Sequence, residues 1–355
     1  MKILYLYAEL MGYTMATIRE LAERGYEVHV VHWDHKHKKL TPYEAPYIPN
    51  VYMYNYSNLS VELIKKLAKD LVPVVTVVSG WMDIGYLSVA KQLRLEGLPV
   101  VVGFDGQWHG TLKQWLATIL GRIGYFSQFY SHVWVAGLCQ FEYARRLGFE
   151  KRNIVYDLYS ADLHIFNRAY CESKKIKQEN YPHRFLFVGR FEPIKGLDVL
   201  LQAWKELGAN IGDWELHLIG NGSMKAQLDA TAGVVVKNFM QPEQLMLEVA
   251  NAGCFLLPSR GEPWGVVVHE FAASGLPLIT SDVVGAASMF LISGLNGYCF
   301  KVNDPKALAN RMYQVINLTD QALNAMAFSS HTLSQRITPE TSAANLLSVT
   351  NQQVK

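Results

Sequence analysis

Cysteine is scarce in this sequence and never paired. Cys139, Cys171, Cys254 and Cys299 lie far apart with no CxxC spacing, which argues against a disulfide framework or a zinc ribbon. Cys254 in GCFLLP and Cys299 in GYCFKV fall inside apolar runs and read as buried free thiols of a reducing compartment. An excess of charge of one sign is also lacking. The 33 Lys and Arg nearly balance the 31 Asp and Glu, a formal net charge of +2, so nucleic acid is not expected as a partner. No stretch reaches the roughly 20 apolar residues needed to span a bilayer. The opening MKILYLYAEL turns polar at Glu9, short of a signal-peptide core. The expectation is a cytoplasmic protein, with peripheral contact at the cytoplasmic membrane face left open.

What is present is globular material for more than one core. The chain has 355 residues, half of them hydrophobic and 18% charged, a length that suits two ordinary domains. Short apolar runs alternate with helical patterns throughout. KILYLY, EVHVVHW, PVVTVVSG, PVVVGFDG and HVWVAG come first; RFLFVGR, WELHLIGNG, GVVVKNF, GCFLLPS, PLITSD and GYCFKV follow. Runs apolar on both faces and separated by helices indicate parallel sheets covered on each side. The expected fold class is α/β, with two doubly wound Rossmann-like domains facing a central cleft. The expected boundaries are a first domain over 1–166, a polar linker over 167–183, a second domain over 184–335, and a helical tail over 336–355 that packs back on the first domain.

The stretch PSRGEPWGVVVHEFAASGLPLIT, 258–280, carries the most chemistry. Pro263 and Gly265 keep Glu262 in a loop, and a helix is expected from near Gly265. Its first amides, at Gly265, Val266 and Val267, lack partners within the helix and stabilise a phosphate. Glu270 lies about one turn further on, where a carboxylate accepts two hydrogen bonds from a vicinal diol such as a ribose. Glu262 suits sugar hydroxyls in the same way. A second stretch, FVGRFEPIKGLDVLLQAW, 187–204, ends a strand near Gly189 and carries Arg190 and Lys195 on a loop before a helix. Two cations so placed grip a diphosphate and offset its charge as it leaves. Either motif alone is more often a set of solvated charges. Their value lies in the combination.

These motifs resemble glycosyltransferase family 4, the group 1 retaining transferases of GT-B fold. The resemblance runs from about Phe185 to Ala309. It rests on the E-x7-E pair Glu262 and Glu270, on the G-R-x4-K-G run from Gly189 to Gly196, and on a donor loop with Trp264 where Phe is common. The GNG turn, Gly220 to Gly222, stands where the family approaches the nucleotide. The resemblance implies that Arg190 and Lys195 bind the donor diphosphate, that Glu270 holds the ribose, and that Glu262 holds the donor sugar. It further implies sugar and phosphate contacts from the Gly265–Val267 amides and base contacts around Phe239 and Met240. No metal cofactor is implied. The implied activity is transfer from a nucleotide-diphosphate sugar, with UDP as the commonest carrier, to a saccharide or lipid-linked glycan. A non-hydrolysing nucleotide-sugar epimerase and a non-catalytic nucleotide-sugar-binding subunit are the alternatives.

The N-terminal half departs from the family. AELMGYTM offers only Gly12 where two adjacent glycines are usual, and Tyr159-Ser160 replaces an Asn-Gly pair. In GFDGQWHG either Asp105 or His109 takes the place of the family's strand-end histidine. Two other features are read as structural. His29, His32, His35 and His37 are dense, but alternation puts His29 and His32 on opposite faces of a strand and the rest run into a basic loop. LKQWLATILGRIGYF, 112–126, is suited to lipid, with core or interdomain packing the first expectation.

Overall fold

The apolar runs become parallel strands in a computed structural model, which describes residues 1–34 and 43–351. His35 and His37 of the histidine cluster lie outside the described residues. Two units divide the chain: the first comprises Met1–Ser160 and the segment from Ile337 onward, the second Ala161–Arg336.

In the first unit β1 (Lys2–Tyr7), α1 (Gly12–Glu23), β2 (Glu27–His32), β3 (Val51–Asn55), α2 (Val61–Leu71), β4 (Val75–Val78), α3 (Ile84–Leu95), β5 (Val100–Phe104), α4 (Leu112–Arg122), β6 (His132–Val135), α5 (Leu138–Arg146) and β7 (Ile154–Val155) follow in order. Their strands form one seven-stranded sheet, β3-β2-β1-β4-β5-β6-β7, parallel at every pairing. Full burial of β4 and β5 explains why Val dominates both: side chains on each face meet a helix layer. His29 is buried on β2, stacked on Tyr52 and bonded through Nδ1 to the Tyr54 hydroxyl at 3.0 Å. It is a packed core histidine.

The second unit contains α6 (Leu163–Glu179), β8 (Arg184–Val188), α7 (Leu197–Leu207), β9 (Glu215–Ile219), α8 (Lys225–Asp229), β10 (Val234–Lys237), α9 (Pro242–Ala250), β11 (Cys254–Leu257), α10 (Val266–Ala273), β12 (Leu278–Ser281), α11 (Ala287–Phe290), β13 (Gly297–Phe300), α12 (Pro305–Ile316) and α13 (Asp320–Ser334). Its sheet is six-stranded, β10-β9-β8-β11-β12-β13, again all parallel. The order reverses between β8 and β11, the position where such sheets bind ligands beyond their strand ends. A last helix, α14 (Pro339–Asn351), belongs to the first unit and packs on α1. Asn345 donates to Asp157 Oδ2 at 2.9 Å and Arg24 to the Glu340 carbonyl at 3.2 Å.

Two sequence expectations differ from this. Residues 167–183 are not a linker, since most of them form α6. The buried positions of that helix are Leu163, Phe166, Ala169, Ser173 and Lys177. The helical period is real, but beyond Ala169 polar residue types carry it, and the first domain ends earlier, at Ser160. Core packing for α4 is also incorrect. Leu112, Trp115, Leu116, Ile119, Leu120 and Ile123 are exposed, while Thr118 and Gly121 face the protein.

Candidate active site

The loops that follow β8 and β11 leave neighbouring strands at the sheet's reversal point, and between them they carry Gly189, Arg190, Lys195, Glu262, Trp264 and Gly265 of the predicted site residues. After β8, Gly189 and Arg190 lead through a short turn, Pro193–Lys195, into α7. Gly196 caps that helix with φ 69°, and a Cβ there would lie 2.1 Å from the Pro258 carbonyl oxygen. Only glycine lets the two loops approach so closely. Gly220 has the same role: a Cβ on it would lie 1.9 Å from the Gly189 carbonyl oxygen. Phe191 N–H donates to the Asn221 carbonyl at 2.8 Å, and Ser223 bonds the Glu192 carboxylate through N–H and Oγ at 3.1 and 2.6 Å. The GNG turn with Gly222 therefore braces the Arg190 loop.

After β11 the chain runs from Pro258 through Glu262 to α10, whose N-cap Gly265 is left-handed at φ 89°. A Cβ on Gly265 would meet the Glu262 Cγ at 2.8 Å. Glu262 is paired with Lys195, both side chains mostly buried, and it also accepts from Ser259 Oγ at 3.1 Å. The Gly285 N–H donates to the Glu262 carbonyl at 3.1 Å, which fixes its backbone. One anion and one cation thus offset each other. Arg190 is exposed, and its charge, after the Ser223 hydrogen bonds, helps to hold the Glu192 carboxyl below its usual range.

Glu270 sits on the first turns of α10, with no hydrogen bond to its carboxylate among the described residues. Burial, reinforced by the Asp162 carboxylate at the start of α6, pushes its pKa up to about 7. The neighbouring His269 is structural. Its Nδ1 accepts from the Ala161 N–H at 3.1 Å, which leaves Nε2 to donate to the Ser334 carbonyl at 2.8 Å. Burial lowers it to about 4, so it is neutral at physiological pH. It ties the start of α6, α10 and the end of α13 together.

Two donor-site expectations meet the structure differently. Trp264 is 2% exposed and its indole N–H has no partner among the described residues, so its ring fills the core and offers no face to a ligand. Its carbonyl accepts from the Ala286 N–H at 2.8 Å and holds the loop before α10. Met240 is half-buried on the loop between β10 and α9, and Val266 and Val267 are half-buried at the start of α10.

Arg260 was missed by sequence reasoning. Its guanidinium grips Asp198 with two bonds of 2.6 Å, donates to the Pro193 carbonyl at 2.7 Å and to Asn303 at 2.6 Å, and its own N–H donates to the Ile194 carbonyl at 2.8 Å. These bonds hold the Asp198 carboxyl below the usual range and pin the turn that carries Lys195. An acid in the first turn of α7 paired with an Arg between the motifs was the available signal. Asp162, buried beside Glu270, was passed over as well.

In the first unit Asp105 directly follows β5. Its carboxylate accepts from the Tyr159 hydroxyl at 3.5 Å and its charge raises the Tyr7 hydroxyl, at the end of β1, in addition to burial. Asp105 therefore joins a tyrosine cluster at the strand ends, to which Tyr13 adds an edge contact on Tyr159. His109 is exposed four residues later; its N–H is bonded by Gln114 at 2.8 Å near the start of α4. Gly12 opens α1 with room for a side chain, the nearest atom to its Cβ position being 3.9 Å away. Among the described residues no group of three or more His, Cys, Asp and Glu is disposed to hold a metal.

Two all-parallel, doubly wound units in one chain, with the structural likeness given below, match the GT-B fold. The model of the glycosyl transferases group 1 matches residues 172–327, most of the second unit. An uncharacterised glycosyltransferase of Methanocaldococcus jannaschii is 33% identical over 141 residues, 37% of this chain and 38% of that one. A D-inositol 3-phosphate glycosyltransferase of a Nocardioides species is 29% identical over 153 residues, 37% of this chain and 33% of that one. The chain thus spans well under half the length of these curated relatives. The crystal structure of Anabaena HepE in complex with UDP and glucose matches 99% of this chain and 100% of its own, with a TM-score of 0.73 at 16% identity. At that identity the likeness speaks for the fold.

Proposed function

We propose that the protein is a retaining, metal-independent glycosyltransferase that moves a sugar from a UDP-sugar to a saccharide or lipid-linked glycan. The observation that carries this reading is the convergence of Arg190 and Lys195, after β8, with Glu262 and the α10 start, after β11. Arg190 and Lys195 meet the diphosphate, the first amides of α10 add their partial positive charge, and Glu270 takes the ribose diol. Lys195 shared between Glu262 and a phosphate oxygen ties sugar recognition to leaving-group stabilisation. The bond from the anomeric carbon to the phosphate oxygen breaks while the acceptor oxygen bonds to that carbon on the same face. The acceptor's proton passes to the departing phosphate. The UDP- and glucose-bound HepE and the inositol-phosphate transferase support the donor and reaction class by similarity.

The test is a panel of nucleotide sugars incubated with the protein, with and without glycan and lipid-linked acceptors. Acceptor-dependent release of free nucleoside diphosphate is expected, lowered at least ~10-fold by Lys195→Ala through loss of a charge-assisted contact of about 1.5–3 kcal/mol. An isomerised donor without release points to an epimerase, and binding without turnover to a non-catalytic subunit; either overturns the proposal.

Acceptor delivery is proposed to use a membrane. No described helix is long and apolar enough to cross one, but α4 turns its apolar face outward. That face lies between Lys113 and Arg122, and the helix has no acidic residue. Such a helix suits the plane of an anionic lipid surface.

A further inference from the structure

Lys195 and Glu262 pair directly across the two loops, with side chains only 14% and 12% exposed. That pair cannot by itself keep the loops in place during a reaction, because a diphosphate and a sugar hydroxyl would each draw one partner away. A second connection joins the same loops through groups that have no part in donor binding. The Arg260 guanidinium donates to the Pro193 carbonyl at 2.7 Å, to both Asp198 oxygens at 2.6 Å and, through Nε, to Asn303 Oδ1 at 2.6 Å. The Arg260 backbone N–H donates to the Ile194 carbonyl at 2.8 Å. A planar fork that meets a carboxylate with two parallel bonds fixes orientation as well as distance. The same bonds raise the Arg260 guanidinium above its ordinary pKa and hold Asp198 below its own.

The turn is thereby anchored on both sides of Lys195. Ahead of it the Pro193 and Ile194 carbonyls are bonded to Arg260, and behind it left-handed Gly196 packs on the Pro258 carbonyl. The Lys195 N–H itself donates to the Glu192 carbonyl at 2.8 Å. Asn303, left-handed at φ 60°, carries the brace on to the loop between β13 and α12. We propose that Arg260 is a positioning residue of the transferase site, which fixes where the Lys195 ammonium meets the donor diphosphate. It acts through Lys195 and does not touch the donor. The mostly buried Lys195 stem has little freedom to correct a shift of the backbone beneath it, and a misplacement of about 1 Å at a reacting centre can cost on the order of 100-fold in rate. The proposal rests on the donor reading.

Calorimetric titration of the full chain with UDP tests it on the natural protein, Lys195→Ala, Arg260→Gln and the double variant. Affinity is expected to fall ~10-fold in each single variant and by little more than ~10-fold in the double variant, because both changes remove one interaction. A merely structural loss would be independent of Lys195 and would multiply to ~100-fold. That result overturns the proposal, as does unchanged affinity in Arg260→Gln. Arg260→Lys keeps the charge without the fork and is expected to bind UDP as weakly as Arg260→Gln; full affinity in Arg260→Lys overturns the proposal, since charge alone would then suffice. Should Arg260→Gln fail to fold, Asp198→Asn is expected to weaken UDP binding ~3-fold in the natural background and not at all beside Lys195→Ala; an equal loss in both backgrounds overturns the proposal. Absence of UDP binding, or affinity that Lys195→Ala leaves unchanged, overturns the donor reading itself and the proposal with it.

Discussion

Glu270 shows how one side chain can link the site to stability. Its folded pKa of about 7 exceeds the ordinary 4.5, so the native state holds this proton more tightly than the unfolded chain. Relative to the ionised form the stabilisation is complete below pH ~4.5 and is lost as the pH rises through about 7; against a side chain that stays neutral, that loss is the cost of the buried carboxylate, complete above about 7. Glu270→Gln is therefore expected to be more stable than the natural protein near pH ~8, by up to about 3 kcal/mol, with little difference near pH ~4.5. UDP affinity carries the opposite sign, because a ribose diol prefers the carboxylate. It should rise between pH ~6 and ~8 in the natural protein more steeply than in Glu270→Gln. Thermal melts and UDP titrations across that range check both, and parallel curves would contradict the placement. Glu270 was legible from its spacing to Glu262. Its titration was not, since that comes from burial by distant elements and, after it, from the Asp162 carboxylate at the start of α6.

At the scale of elements, α4 and α6 show what periodicity leaves open. A stripe of apolar residues says that a helix has a face, but not which face meets the protein. In α4 the protein side is set by Gly121, where a Cβ would lie 2.1 Å from the Leu147 carbonyl oxygen, so close packing of small groups wins and the large apolar side chains turn out. At about 100° per residue, Lys113 and Arg122 fall on opposite sides of that apolar arc. Trp115 meets the Trp108 ring edge-on at 5.2 Å, and Arg146 lies over Trp108 at 4.8 Å, which adds a cation to the rim. The protein is expected to sediment with phosphatidylglycerol-containing vesicles and far less with phosphatidylcholine alone. Leu116→Glu with Ile119→Glu should cut this at least ~10-fold, since each side chain contributes about 1.5–3 kcal/mol when buried. Equal sedimentation of natural protein and variant would remove lipid as the occupant. In α6 the fault is the reverse: Ser173 and Lys177 occupy buried positions that polar types seldom fill, so the helix reads as a linker.

For the whole molecule, both sheets were legible because their inner strands are buried on both faces and therefore largely apolar, as VVVGF and CFLL show. The loops after β8, β9 and β11 were legible because close backbone approaches demand glycine at positions 196, 220 and 265. Less was readable where one side chain acts through another. Arg260 braces the Lys195 turn from two residues before Glu262, and Trp264 stands beside Glu262 in sequence yet serves the core. In the first unit Asp105 belongs with Tyr7 and Tyr159, a grouping made by strand ends that are distant in sequence. The central claim is that a UDP-sugar lies across the strand ends of β8 and β11. The most direct measurement is a crystal structure with UDP bound. The account predicts the diphosphate between Arg190 and Lys195, against the first amides of α10, and both ribose hydroxyls on Glu270. UDP bound elsewhere, or with its ribose away from Glu270, would contradict it.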